Sequence, residues 1–242
     1  MKDPSQIKVL VACEESQRVC MAFRERGFEA YSCDIQEPSG GHPEFHILGD
    51  ALKVIDSSQI TTMDGKTHDV RKWHLLIAHP PCTYLSNVAT RHYSLKCTPP
   101  DKVCQRLHER TKAAVFFMRF TLANVEHIAV ENPIGVMSSV YRKPDQIIHP
   151  YMFSAGEQDK EQYVTKATCL WLKGLPLLQA TFKGETPDNE KIFGKSPNGK
   201  NRTWETNVTT DRQKARSKTF PGIAKAMAEQ WGDYLLREDE DE

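Results

Sequence analysis

Leu75, Leu76, Ile77 and Ala78 form an unbroken apolar run, cut off two residues later by Pro80-Pro81. Four consecutive apolar side chains suit a strand covered on both faces, and a proline pair cannot extend a paired sheet. The run therefore predicts a short buried strand whose carboxyl end delivers Cys82 into a stiffened turn. Open α/β sheets place their ligands at such strand ends, so Cys82 reads as a nucleophile, against the commoner fate of cysteine as a small buried hydrophobe.

His127 to Gly135 repeats the design. Ile128, Ala129 and Val130 predict a second buried strand, and Glu131 and Asn132 emerge from it just before Pro133. A carboxylate at the end of an apolar strand is costly to bury unless it is paired, so Glu131 is either a cap, a surface ion pair or part of a pocket. Taken together, the two strand ends predict a thiolate and a carboxyl facing one site. Nearer the start, Ile7 to Ala12 predicts a first buried strand, Glu15 to Arg26 has helical spacing through Val19, Ala22 and Phe23, and Phe28 to Cys33 predicts a second strand closed by Asp34. This is a β-α-β unit of the Rossmann kind, where a carboxylate closing strand two bonds ribose hydroxyls. The alternative for such an acidic residue is a turn former.

The PPCTYLS and ENP motifs resemble the Pro-Cys and Glu-Asn-Val motifs of the carbon-5 cytosine methyltransferases. The ordered series CEESQ, SCDIQ, HILGD, IAHPPCTYLS, ENP, KPDQII, KATCLWLKGLP and RSKTFPGIAKAMAEQW resembles a compact, often phage- or prophage-encoded branch of DNA cytosine methyltransferases, from Val9 through Trp231. The resemblance implies an α/β fold of the Rossmann-like class I methyltransferase kind, an open twisted, mostly parallel sheet with helices on both faces. It implies S-adenosyl-L-methionine as cofactor and cytosine in DNA as substrate. Cys82 is then the thiolate that adds to ring carbon 6, and Glu131 supplies hydrogen bonds at N3 and the exocyclic amine as charge moves into the ring. Asp34 is implied at the donor ribose and Asp50 near its adenine, with Pro80 against the donor and Pro81 and Asn132 against the base.

The chain also departs from that family. The first loop, Cys13-Glu14-Glu15-Ser16-Gln17, contains no glycine, where the family's loop lets backbone amides approach the donor. Glu14 or Glu15 could meet the donor's amino group and Ser16 could cap the helix, or all three could simply start it. In Thr165 to Leu172, which resembles the family's Gln-x-Arg-x-Arg strand, only Lys166 keeps a positive charge, and Thr168 stands where an arginine would hold the base carbonyl. Arg212, Arg216 and Lys218 are candidate replacements.

The 242 residues, 39% of them apolar, suit one α/β domain spanning 1–242. Formal net charge is zero, so bulk electrostatics does not demand nucleic acid. Between Lys191 and Lys218, however, eight basic residues stand among glycine, proline and the aromatics Phe193 and Trp204. That stretch reads as a loop for phosphates through Arg202 and its neighbours and for base stacking through Trp204, or else as a solvated linker. Residues 173–214 form a reduced recognition insert, too small for an independent domain, which predicts short or relaxed sequence specificity. The partner is then DNA, as single strand or as duplex with a flipped base; the alternatives are a free pyrimidine nucleotide modified at carbon 5, or a degenerate DNA- or cofactor-binding anti-restriction protein. Val103 to Leu122 predicts a scaffold helix with Leu107, Ala114, Met118 and Leu122 along one side, and Pro221 to Trp231 a proline-started final helix. Residues 238–242 form an acidic tail. The seven cysteines lack Cys-x-x-Cys spacing, and Pro43 disfavours a helical metal site at His42, Glu44 and His46. No membrane span and no signal-peptide core is present, which predicts a cytoplasmic protein of a bacterium or phage-infected host.

Overall fold

The computed structural model describes residues 2–188 and 218–237. Its centre is a seven-stranded sheet in the order β3-β2-β1-β6-β7-β9-β8. The strands are β1 (Lys8–Ala12), β2 (Glu29–Asp34), β3 (His46–Leu48), β6 (Leu75–Ala78), β7 (His127–Pro133), β8 (Gln146–Ile148) and β9 (Thr168–Lys173). β3, β2, β1, β6 and β7 run parallel, while β9 lies antiparallel between β7 and β8. A separate hairpin pairs β4 (Gln59–Thr61) with β5 (Thr67–Asp69). The α/β architecture with a mostly parallel sheet thus follows the expectation.

The central strands carry no polar side chains along their middles because both faces are covered. On one side Val9, Val11, Leu75 and Ile77 pack with Phe23 of α1 (Arg18–Arg24) and with the final helix. On the other, Leu10, Leu76 and Val130 pack with α2 (Ala51–Ile55) and α3 (Pro100–Thr121). α4 (Met137–Val140) is a single turn after β7. The final helix runs further than the sequence suggests: α5 (Pro221–Ala226) passes through a π-helical turn at Met227–Trp231 into α6 (Gly232–Arg237). Arg26 fastens this irregular turn, donating to the Glu229 carbonyl at 2.9 Å and pairing with Asp233 at 2.5 Å. Gly232 is required there, since a Cβ would meet the Phe28 ring at 2.9 Å.

α3 corrects the expected packing side. Ala114 is buried, but Leu107 and Leu122 are exposed, and the inward stripe is Val103, Ala114, Phe117 and Phe120. The aromatic stripe wins because Phe117 meets Trp171 edge-on at 5.0 Å between ring centroids, an arrangement that adds to simple burial. Strand order reverses direction between β1 and β6: the chain moves outward from β1 through β2 to β3, then returns to β6 and moves outward to β7. Such a switch point opens a crevice at the carboxyl ends of the two strands. The loops after β1 and β6 flank it.

Candidate active site

Three strand ends meet at this crevice. Ala12 of β1 pairs with Ala78 of β6, which pairs with Val130 of β7. The next residue of β6, His79, continues the ladder by donating its amide to the Ala12 carbonyl at 2.9 Å. Parallel register then sets His79 beside Glu131, and their side chains meet at 2.7 Å between Nδ1 and Oε2. Both are largely enclosed, with side-chain exposures of 10% and 20%.

Cys82 is two prolines further on and exposed. Its turn is knitted to the loop after β7. Asn132, buried, donates Nδ2 to the Pro80 carbonyl at 2.7 Å. Asn87 donates its amide to Ile134, and Val136 donates to Leu85. Gly135 lies so close to Leu85 that a methyl group on it would overlap the Leu85 carbonyl oxygen. Pro80 is therefore buried and fixed, whereas Pro81 and Cys82 face outward. Asn132 thus holds the turn that carries Cys82.

The charges around Glu131 are coupled. Burial pushes the Glu131 carboxyl up, but the His79 hydrogen bond and charge, with the Lys166 ammonium, bring it below the ordinary carboxylate range. Burial works against a charge on His79, yet the bond to Glu131 and the charges of Glu131 and Glu14 outweigh it, so the imidazole titrates above the ordinary histidine range. The Lys166 charge therefore acts on both members of the pair. Thr168 is buried within β9 opposite Pro133. His79 is the site residue the sequence did not single out; its signal was its place, one residue beyond a four-residue apolar run and level with Glu131.

The β1/β2 side is built differently. α1 begins at Arg18 and not at Glu15, because Cys13 and Gln17 both take left-handed backbone, φ 59° and 58°. The loop thus adopts conformations that glycine favours, without glycine. Ser16 does not cap the helix. Glu14 does, accepting from the Val19 and Cys20 amides at 2.6 and 3.1 Å. A carboxylate suits the positive end of a helix, but burial dominates and pushes Glu14 up to about 7, with the His79 charge and the two amides opposing. Glu15 is buried, its carbonyl taken by the Ser39 amide. Gln17 locks the loop through Ser32 and the His42 backbone, and Ser32 in turn meets buried His46 at 2.8 Å.

Asp34 ends β2, half-buried, with Oδ1 accepting from the Gln36 amide. Asp50 caps α2 by accepting from Leu52. Both acidic groups, after burial, raise the Cys13 thiol and so share one neighbourhood with it. Ile35, next to Asp34, is 80% exposed.

Arg202, Trp204 and Arg216, with Arg212 and the stretch from Lys191 to Ser217, lie outside the described residues, as do residues 189–214 of the insert and the 238–242 tail. Among the described residues no group of three His, Cys, Asp or Glu side chains is placed to hold a metal ion, and no helix is long and apolar enough to cross a membrane. A cavity of about 270 Å³ lies beside the segment that follows Cys82, lined by Tyr84, His92, Thr98, Lys102, Arg106 and Glu109 among others. There Arg110 stacks 3.3 Å from the Tyr93 ring centroid, and Arg106 lies 5.2 Å from both the Tyr84 and Tyr93 rings. A second cavity, of about 230 Å³, is lined by Thr121, Ile128, Tyr141 and Lys173 at the amino end of β7, the opposite end of that strand from Glu131. Comparison with known proteins finds no family model that matches the chain and no curated protein that matches it.

Proposed function

We propose that the protein is an S-adenosyl-L-methionine-dependent methyltransferase acting on carbon 5 of cytosine in DNA, with a Rossmann-like class I methyltransferase fold. The observation that carries this reading is the joining of the Cys82 turn to the Glu131 loop through Asn132, Gly135 and the backbone bonds at Leu85 and Ile134. Carbon 5 of cytosine is a poor nucleophile. A thiolate must first add to carbon 6, and a carboxyl must meet N3 in the same step, so the two groups have to be held as one unit. Cys82 is the thiolate, exposed to the base; Glu131 is the carboxyl, kept ionised and oriented by His79 until the ring needs a proton.

The donor pocket fits the switch-point crevice. Asp34 keeps Oδ2 for a ribose diol, and exposed Ile35 offers an apolar face for a purine. Bound there, S-adenosylmethionine supplies an electrophilic methyl group. Glu14 and Asp50 act on the pocket through the helices they cap rather than by direct contact.

DNA is favoured over a free nucleotide by the arginine-tyrosine face around the 270 Å³ cavity, which adjoins the nucleophile turn. Cations interleaved with aromatic rings suit a phosphate backbone and unstacked bases. The test is incubation with donor and an oligonucleotide carrying 5-fluorocytosine, followed by mass spectrometry of the protein. Wild type is expected to form a covalent adduct at Cys82 and Cys82→Ala none. A 5-methyl product on a monomeric pyrimidine nucleotide but not on DNA overturns the DNA assignment, and absence of any adduct or product overturns the methyltransferase.

A further inference from the structure

His79 has an unusual hydrogen-bond inventory. A buried histidine usually satisfies both ring nitrogens. Here Nδ1 meets Glu131 at 2.7 Å, whereas Nε2 is buried and meets no hydrogen-bond partner among the described residues. The ring is fixed from behind by its own amide, bonded to Ala12, and is surrounded by charges from three elements. These are Glu14 from the loop after β1, Glu131 from β7 and Lys166 from the segment ahead of β9. An enclosed imidazole with a short bond to a carboxylate is placed to exchange a proton with it.

We propose that His79 is a positioning residue for the base-binding carboxyl, orienting Glu131 through Nδ1 and holding the proton that Glu131 passes to cytosine N3. This rests on the methyltransferase reading above. In the step, the Cys82 Sγ–C6 bond forms, the C5–C6 π pair becomes a C4–C5 π bond, and the C4–N3 π pair moves onto N3. N3 takes a proton from Glu131, and Glu131 takes one from Nδ1. The thiolate and imidazolium charges disappear together while Glu131 remains a carboxylate, and the Lys166 ammonium is the positive charge left acting on it. When the thiolate is expelled after methylation and loss of the C5 proton, the N3 proton returns by the same path.

The experiment compares wild type with His79→Asn, whose amide keeps a donor toward Glu131 but has no titrating proton. Single-turnover adduct formation on 5-fluorocytosine DNA is followed from pH 6 to 8.5. In wild type the rate falls as pH rises through the elevated His79 pKa. In the variant the proton must come from Glu131 alone, so the fall moves to lower pH and the wild-type advantage grows at least tenfold between pH 6 and pH 8. Parallel profiles, with a constant ratio, give His79 a purely structural role and overturn the proposal. A histidine NMR titration of wild type and Glu131→Gln reads the pair without catalysis: the His79 midpoint lies above 6.5 in wild type and falls in the variant. An unchanged midpoint overturns the proposal, whereas the expected midpoints with no wild-type adduct overturn the methyltransferase reading and leave the pair standing.

Discussion

The two sides of the crevice use polar side chains in opposite ways. On the β6/β7 side, Asn132 and the backbone of residues 85–87 and 134–136 bind one loop to the other, while Glu131 meets His79 and Cys82 stands exposed. On the β1/β2 side the acidic residues are absorbed by local structure: Glu14 caps α1, Asp50 caps α2 and Asp34 closes a turn with one of its two oxygens. The difference teaches that a strand-end carboxylate is open to a ligand only where something else satisfies the backbone around it.

The comparison breaks most severely at Gly135. Gly135→Ala places a methyl group on the Leu85 carbonyl, parting the loops and the two backbone bonds that join them. A loss of about 3 to 5 kcal/mol is expected from overpacking plus those bonds. Urea denaturation measures it, and a loss below about 1 kcal/mol shows that the loops are not held as a unit.

Glu14→Gln tests the other side. A carboxyl raised on folding from 4.5 to about 7 favours folding most in acid, and that stability is lost as pH rises through this window. The full effect is about 3 kcal/mol. Wild-type stability should therefore fall relative to the variant between pH 5 and pH 8, and parallel denaturation midpoints across that range refute the assignment.

Asp34→Ala is expected to weaken adenosylmethionine binding by about 1 to 3 kcal/mol, the range for a hydrogen bond to a charged group. Calorimetry decides, and equal affinities place the donor elsewhere. The smallest effect is expected at Cys13→Gly, where relief of the left-handed backbone is offset by glycine's greater freedom in the unfolded chain. Thermal denaturation should register a net change within about 1 kcal/mol. A loss above about 2 kcal/mol would mean that thiol packing, not backbone conformation, dominates this position.

Much of this arrangement was legible in the chain itself. The apolar runs located β1, β2, β6 and β7, and the ends of the last three named residues now found at the crevice: Asp34, Cys82 and Glu131. Three-residue strands such as β3 and β8 left no comparable pattern, because so short a segment is fixed by its neighbours rather than by its own alternation. The His79–Glu131 pair was hidden for a similar reason: it depends on register between strands, which single-chain periodicity does not encode. Glu14 was ambiguous at its own position, since capping and ligand binding both ask for a carboxylate. Leu107 and Leu122 illustrate a competing stripe, overruled by larger rings that pack on β9.

The position of β9 has a consequence for the order in which the chain can mature during synthesis. Among the described residues β8 emerges first but borders only β9, and the outer edge of β7 is likewise closed only by β9. Until residues 168–173 have left the ribosome, the nascent sheet ends at β7 with bare amides and carbonyls along the strand that carries Glu131. An unpaired strand edge invites pairing with another chain. Translation between β7 and β9 is therefore the interval in which a growing copy of this protein is most exposed to association with its neighbours on a polysome.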